Sequence, residues 1–130
     1  MHAKDFLKWI GLKEKLHELN DNAPHINERE IWWASLGENI GFEINGKSQL
    51  FSRPVLILKK LSKGFYFVVP LTTQLRTGSW FVNYQHRGKS FSACLHQARP
   101  IDYRRLSSKW GELNIVDYQR IKVGFLNLFK

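Results

Sequence analysis

The chain of 130 residues carries 20 lysines and arginines against 11 aspartates and glutamates, and 43% of its residues are apolar. This length predicts one domain with a real core, and the single cysteine, Cys94, excludes an internal disulfide and favours a reducing, cytoplasmic location. Polar residues interrupt every apolar run and no basic-then-apolar leader opens the chain, so neither a membrane span nor a signal peptide is expected.

The predicted elements begin with an amphipathic helix over residues 3–20, whose apolar side chains recur at spacings of three and four. A polar stretch with a proline at 20–24 ends it. Residues 1–27 are therefore interpreted as a helical extension with a linker, and residues 28–130 as the main domain. We expect the helix to pack on that domain through Trp9, Leu12, Leu16 and Leu19.

A first strand is predicted over residues 30–36, followed by a polar loop with several glycines at 37–52. Loops of this length between strands are uncommon unless they bind a ligand or partner. A central β-hairpin follows, because apolar runs at 55–58 and 65–71 flank a turn at 61–64. A second hairpin is predicted from residues 79–85 and 89–95, with 86–88 at its tip.

The last part of the chain is predicted to be helical in two places. Pro100 suits the first position of a short helical turn over residues 100–106, and Asn114 suits the cap of a final helix through Phe129. We expect the apolar residues of this helix to lie in the core; they are Ile115, Tyr118, Ile121, Phe125 and Phe129. About five short strands with few helices predict a mainly β fold with α, a small, strongly curved sheet or barrel.

The central hairpin also predicts a polar site. Pro54 holds Arg53 extended at the start of the first strand, and Thr72, Thr73 and Gln74 follow the second strand. The start of one antiparallel strand lies beside the end of the next. A cation and hydroxyl groups should therefore converge at the open end of the sheet.

The positive charge is concentrated between residues 44 and 111, where Asp102 is the only acid. Such a bias presents a positive field to a polyanion, although a basic surface without a specific partner is the alternative. Interleaved aromatic residues suit base stacking, but strand aromatics usually belong to the core. These aromatic residues are Trp80, Phe81, Tyr84 and Phe91.

Four blocks in chain order resemble a known family: EIWWASLGENIGFE at 30–43, SRPVLIL at 52–58, VVPLTTQ at 68–74 and HQARPIDYRRL at 96–106. They resemble the MazF/PemK/Kid toxins of bacterial type II toxin–antitoxin systems. The resemblance implies an SH3-like barrel of the Kid–MazF–CcdB type with a C-terminal helix, and a homodimer. It also implies a sequence-selective endoribonuclease that cleaves single-stranded RNA without a metal or other cofactor, an mRNA interferase. An acidic, partly disordered antitoxin would neutralise it.

Carried over residue by residue, the resemblance implies that Arg53 contacts the scissile phosphate and that Thr72 hydrogen-bonds to it. Glu43 matches an acidic residue next to the RNA path, and Gln97 and Arg99 match the family's Gln-x-Arg block. Further RNA-binding residues are predicted after the central hairpin and at the tip of the second one. These are Thr73, Gln74, Arg76, His86 and Arg87.

The chain departs from the family where its members carry catalytic acids or bases. Some members have an Arg-x-Asp pair, or an acid, before the glutamine; here those positions hold Cys94 and His96. Others have a histidine in the first loop, where this chain has Phe42. An imidazole can act as acid or base near neutral pH, so His96 is a catalytic candidate, with a structural histidine as the alternative.

A guanidinium suits phosphate stabilisation, which is worth about 3–4 kcal/mol in comparable transition states. The competing interpretation of Arg53 is a rim arginine paired with Glu43 or Asp102. The histidines are scattered without ligand spacing, so no metal site is predicted. The alternative function is a catalytically silent module that binds nucleic acid, RNA or DNA, or an antitoxin, on the same fold.

Overall fold

The computed structural model describes residues 24–36 and 52–130, and every structural statement below concerns these two ranges. The predicted N-terminal helix, most of the predicted loop at 37–52, and Glu43 lie outside the described residues.

Seven β-strands, one α-helix and two 3₁₀-helical turns make up the described residues. The strands are β1 (Glu30–Ser35), β2 (Ser52–Ser62), β3 (Phe65–Thr72), β4 (Phe81–His86), β5 (Lys89–Cys94), β6 (Arg99–Asp102) and β7 (Leu106–Glu112). The helix is α1 (Ile115–Asn127), and the two 3₁₀ turns are Leu95–Gln97 and Tyr103–Arg105. The mainly β fold with a C-terminal helix is as predicted, with more strands than expected.

The strands form one antiparallel sheet in the order β4-β5-β3-β2-β1-β7, and β6 pairs with β3. Both predicted hairpins are confirmed. The tip of the second one, between β4 and β5, has φ values of 51° at Arg87 and 78° at Gly88. Two successive left-handed residues give the backbone twist that a two-residue hairpin turn requires.

The predicted helical turn over residues 100–106 is wrong in its first half. Residues Arg99–Asp102 form strand β6, in which Pro100 lies opposite Phe67 of β3. A proline fits here because β6 pairs on one side only, so the missing N–H can face away from the sheet. The 3₁₀ turn begins at Tyr103, and the Asp102 side chain caps it by accepting from the backbone N–H of Arg104 at 2.8 Å.

Apolar side chains cover both faces of the sheet, because adjacent residues of the central strands belong to different clusters. Leu56 and Val69 belong to the cluster beneath α1, which also contains Tyr118 and Ile121. The second cluster contains Ile26, Ala34, Leu36, Val55, Ile57, Tyr66, Val68 and Ile101. The central strands are therefore buried on both sides.

One buried hydrogen bond ties α1 to the centre of the sheet. The Tyr118 hydroxyl donates to the carbonyl oxygen of Leu58 at 2.7 Å. The β2–β3 register shifts between Ile57 and Lys59, so Leu58 is the extra residue of a bulge. The helix thus supplies a hydrogen-bond donor where the strand ladder is irregular.

The predicted cap of α1 is confirmed, because the Asn114 side chain accepts from the N–H of Asp117 at 2.8 Å. The predicted core residues Tyr118 and Ile121 are buried. The prediction is wrong for Ile115 and Phe129, which are 50% and 76% exposed. Apolar residues occupy more of the helix circumference than the sheet covers.

Side chains, rather than backbone pairing, close the sheet toward a barrel. β7 and β4 are the two ends of the strand order, yet Trp110 of β7 contacts His86 and Phe91 of the β4–β5 hairpin, each at 5.4 Å between ring centroids. Gly111 permits this approach, since a Cβ there would lie 3.1 Å from His86 Nε2. We call the contact of Trp110 with His86 and Phe91 the seam.

We expect Tyr118→Phe to lower the free energy of unfolding by about 1–3 kcal/mol, because the buried Leu58 carbonyl would lose its partner. Urea unfolding measures the difference. Gln119→Ala, on the exposed neighbouring position of the same helix, serves as the control and should change stability by less than about 0.5 kcal/mol. Equal stabilities of Tyr118→Phe and wild type would contradict the assignment.

The seam should make stability depend on pH. Burial, and then the charge of Arg87, lower the pKa of His86, whose Nε2 is buried without a hydrogen-bond partner. Below the usual histidine pKa of about 6.5 the unfolded chain therefore binds a proton that the folded chain does not. The free energy of unfolding then decreases as the pH is lowered. We expect His86→Gln to reduce this loss in urea unfolding between about pH 6.5 and 5.

A matched variant separates the two causes. Arg87→Asn removes the charge, and asparagine tolerates the left-handed backbone at this position. As the pH falls, Arg87→Asn should lose less free energy of unfolding than wild type and more than His86→Gln. If His86→Gln and wild type lose stability in parallel, the dependence does not arise at the seam.

Candidate functional site

The paired ladder of the central hairpin ends at Val55 and Pro70, two residues short of Arg53 and Thr72. Val55 pairs with Pro70, and the same register carried two residues further puts Arg53 opposite Thr72. On its other side Thr72 pairs with Ser92 of β5. Directly opposed side chains share one face of a sheet. Arg53, Thr72 and Ser92 therefore form one row across three strands.

Thr72 is buried at the end of β3, and its hydroxyl is oriented by the chain that follows. Its Oγ1 accepts a hydrogen bond from the backbone N–H of Gln74 at 3.2 Å. The hydroxyl proton is then left to donate to another acceptor. Thr73 and Gln74, the next two residues, are exposed.

Arg53 is half-buried at the start of β2. Burial lowers the pKa of its guanidinium below the usual value, and the Cys94 thiol acts in the opposite direction. A guanidinium nevertheless stays charged in proteins, so it is a partly desolvated cation that a phosphate could neutralise.

The alternative pairing of Arg53 with Asp102 is wrong. Asp102 forms an ion pair with Arg104 at 3.1 Å and lies opposite Phe65. Phe65 is seven residues before Thr72 along β3, which corresponds to roughly 23 Å. A pairing of Arg53 with Glu43 falls outside the described residues.

A second guanidinium, that of Arg76, reaches the same region. Burial raises the pKa of the Cys94 thiol, while the positive charges of Arg53 and Arg76 lower it. The backbone N–H of Arg76 donates to Ser92 Oγ at 2.9 Å, and its guanidinium donates to Gln74 Oε1 at 2.7 Å. The chain after β3 is thereby anchored to β5.

Ser92 is the buried centre of this anchor. Besides accepting from Arg76, its hydroxyl donates to Oδ1 of Asn83 on β4. Ser92 was not predicted as a functional residue. Its position opposite Thr72 becomes visible only once the pairing of β3 with β5 is known.

A cleft of about 590 Å³ opens next to this row. It is lined by Thr72, Leu75, Arg76, Thr77, Trp80, Phe81, Cys94, His96 and Gln97. The cleft therefore brings Thr72 together with three other predicted functional residues, Arg76, His96 and Gln97. Cys94 lines it as a buried free thiol.

The imidazole of His96 is held between two aromatic rings. The Trp80 ring stacks on it at 4.9 Å with an interplanar angle of 30°, and the Phe81 ring meets it edge-on at 5.3 Å. Its Nε2 lies 3.4 Å from Nε2 of Gln97. His96 is exposed, so a ring in a fixed orientation faces solvent beside the cleft.

The remaining predicted RNA-binding residues lie elsewhere. His86 and Arg87 are at the far end of the β4–β5 hairpin from Phe81, roughly 16 Å along the strand, and His86 faces Trp110. Arg99 lies opposite Val68, four residues before Thr72, or roughly 13 Å along β3. The structure does not bring these three residues into the cleft.

A second, larger depression of about 920 Å³ lies between α1 and β4. Its apolar lining includes Val82, Val116, Val123 and Gly124, with Arg120 at its border. Within residues 24–36 and 52–130, no group of three His, Cys, Asp or Glu side chains could hold a metal ion. The part of the chain that the structure describes has no helix that could span a membrane.

Solved structures with the same fold include toxins and toxin–antitoxin complexes. The MazF of Deinococcus radiodurans (Form-I) is 19% identical with a TM-score of 0.67, covering 84% of this chain and 98% of that one. An endoribonuclease in complex with its cognate antitoxin, from a mycobacterial species, is 14% identical with a TM-score of 0.63, covering 81% and 95%. A MazE–MazF complex of Deinococcus radiodurans (Form-II) is 18% identical with a TM-score of 0.59, covering 84% and 97%.

No curated protein sequence matches the chain. A family model does: residues 27–129 match the model of the PemK-like, MazF-like toxins of type II toxin–antitoxin systems. This match spans the central hairpin, the row of Arg53 and Thr72, and the C-terminal helix. The chain therefore belongs to the PemK-like, MazF-like toxin family, as its sequence blocks predicted.

Proposed function

We propose that this protein is the toxin of a toxin–antitoxin pair and a sequence-selective endoribonuclease that cleaves single-stranded RNA without a metal ion. One observation supports the proposal: the hairpin register, extended by two residues, puts Arg53 opposite Thr72, and Thr72 and His96 line the same cleft. A cation and a hydroxyl donor can stabilise the charge at the phosphate, and an imidazole can transfer a proton, which are the roles that RNA cleavage by its own 2′-hydroxyl needs.

In the proposed reaction the 2′-oxygen forms a bond to phosphorus and the bond from phosphorus to the 5′-oxygen breaks. The 2′-hydroxyl loses its proton to a base, and the departing 5′-oxygen gains a proton from an acid. Arg53 binds the non-bridging oxygens, where charge accumulates, through two parallel hydrogen bonds. The Thr72 hydroxyl donates a hydrogen bond to one of these non-bridging oxygens, since its own oxygen already accepts a hydrogen bond from the backbone N–H of Gln74.

His96 is the proposed proton-transfer residue, in the position where some family members carry an acid. Trp80 and Phe81 fix the plane of its imidazole, so the proton it transfers has a defined direction. A fixed orientation matters because proton transfer requires hydrogen-bond reach to the reacting oxygen. The far-lying Arg99, His86 and Arg87 would contact only RNA that extends beyond the cleft, and Thr73 and Gln74 would bind next to the phosphate.

An acidic, partly disordered antitoxin is the proposed protein partner. The net charge of +9 favours such a partner, and one structure of the same fold is an endoribonuclease with its cognate antitoxin. The unpaired cysteine fits the proposed cytoplasmic location.

A homodimer through the outer face of α1 is also proposed. Val116, Val123 and Leu126 are more than half exposed there, and the two valines line the 920 Å³ depression. Soluble monomers rarely expose a continuous apolar patch, whereas homodimer interfaces are apolar at their centre.

The competing function is a binding module without catalysis on the same fold. The observation that favours it is the absence of a carboxylate at position 96, where this chain has His96. Binding of RNA without turnover would identify it.

We expect Arg53→Ala to reduce RNA cleavage by about a hundredfold or more, because one fixed donor at the phosphate is worth about 3–4 kcal/mol. Purified protein is incubated with a long single-stranded RNA in EDTA, and the product ends are mapped. The thermal melt should change little, since Arg53 is only half-buried at the start of β2.

Arg104→Ala is the matched control, because Arg104 lies at the far end of β3 from Thr72. It should cleave like wild type. Full activity of Arg53→Ala would remove the proposed site. RNA that wild type binds but never cuts would establish the silent module, whereas cutting that is lost in His96→Gln would support proton transfer by this residue.

We expect Val123→Asp to convert a dimer into a folded monomer, because a carboxylate would be buried at the centre of an apolar contact. Sedimentation equilibrium gives the mass, and circular dichroism shows whether the fold is retained. Ser108→Asp, an exposed position on β7, controls for added charge and should remain dimeric. A monomeric wild type, or a dimeric Val123→Asp, contradicts this interface.

A further inference from the structure

We propose that Trp80 forms a shelf on which an unpaired nucleobase stacks, next to the phosphate held by Arg53 and Thr72. This subsite rests on the proposed function and adds to it the recognition of a base. Its ligand is one nucleotide of a single strand, since a base paired within a duplex offers no free face to an indole.

The exposure of Trp80 is the first observation. Its side chain is 56% exposed, although indoles are usually among the more buried side chains. One face of the ring is stacked on His96, and the residue lines the 590 Å³ cleft together with Thr72. A second aromatic ring can therefore stack on the side of Trp80 that faces away from His96.

The backbone that carries the indole is hydrogen-bonded on both sides, and the ring itself stacks on His96. The Trp80 carbonyl accepts from the backbone N–H of Leu95 at 2.9 Å, and the next residue, Phe81, donates its N–H to Gly78 at 3.2 Å. Gly78 has a φ of 113°, which only glycine adopts readily. A rigid aromatic surface loses little entropy on binding.

The chemistry around Trp80 favours a nucleotide over an apolar peptide. The same cleft presents the guanidinium of Arg76, the amide of Gln97 and the hydroxyl of Thr72. These are donors for phosphate oxygens and base edges. The depression between α1 and β4 has the more apolar lining of the two. An aromatic face beside phosphate-binding cations is the arrangement by which proteins hold single strands.

The test compares two oligomers that differ only in their bases. One is random-sequence single-stranded DNA of about 12 nucleotides, and the other is an abasic deoxyribose-phosphate chain of the same length. Neither carries the 2′-hydroxyl that cleavage requires. We expect wild type to bind the base-bearing oligomer about five- to a hundredfold more tightly, measured by fluorescence anisotropy at fixed salt.

Trp80→Ala should bring the ratio of the affinity for the base-bearing oligomer to that for the abasic chain close to one, without changing the affinity for the abasic chain. Trp80→Phe should keep most of it, because a phenyl ring also stacks. Leu75→Ala is the matched control: Leu75 lines the same cleft and is 58% exposed, but it has no aromatic ring. Its ratio should equal that of wild type.

The outcomes separate the shelf from the nuclease. Arg53→Ala should weaken the binding of both oligomers by the same factor. An unchanged ratio of the two affinities, together with lost cleavage, therefore supports both proposals. A wild type that never cleaves but keeps a ratio lost in Trp80→Ala supports the shelf alone. A Trp80→Ala ratio equal to that of wild type overturns the shelf, and so does a wild type that does not distinguish the oligomers. A change in dimer dissociation with an unchanged ratio would assign Trp80 to a protein contact instead.

Discussion

The pairing of β2 with β3 is the constraint on which the rest of the structure depends. A slip of one residue would turn Arg53 to the opposite face of the sheet and separate it from Thr72. Alternation of polarity cannot prevent this slip, because Val55 and Leu56 are both fully buried on opposite faces. The register must come from the tight turn that contains Gly64, with a φ of 87°, and from the bulge at Leu58.

The same pairing explains why the candidate site and α1 lie on different faces of the sheet. Residue 53 points to the side of Val55, whereas Leu56 packs in the cluster beneath α1. The helix and its hydrogen bond to Leu58 stabilise the sheet from one side, and the row of Arg53, Thr72 and Ser92 lies on the other, the face that also carries the second apolar cluster. The described strands end their ladder at β4 and β7, where Trp110 completes the curvature with ring contacts.

Local signals were sufficient for much of this architecture. The two hairpins, the Asn114 cap and the proximity of Arg53 to Thr72 depend on residues close in sequence or on hairpin geometry alone. Pro100 was misassigned because its strand exists only through a distant partner, β3. Ile115 and Phe129 were misassigned because an apolar period identifies a helix but not which apolar face is covered. Trp80 was grouped with strand aromatics, although β4 begins one residue later and leaves the indole outside the core.

The row of Arg53, Thr72 and Ser92 draws on three strands, and Ser92 also anchors the backbone of Arg76, which carries the second guanidinium. During synthesis, β2 and β3, which carry Arg53 and Thr72, leave the ribosome well before β5 and the turn that carries His96. The sheet is also held by α1, which follows all seven strands in the chain. A nascent chain therefore lacks the stabilised constellation until α1 has left the ribosome. For a protein proposed to cut RNA, this order of assembly protects the message from which it is being made.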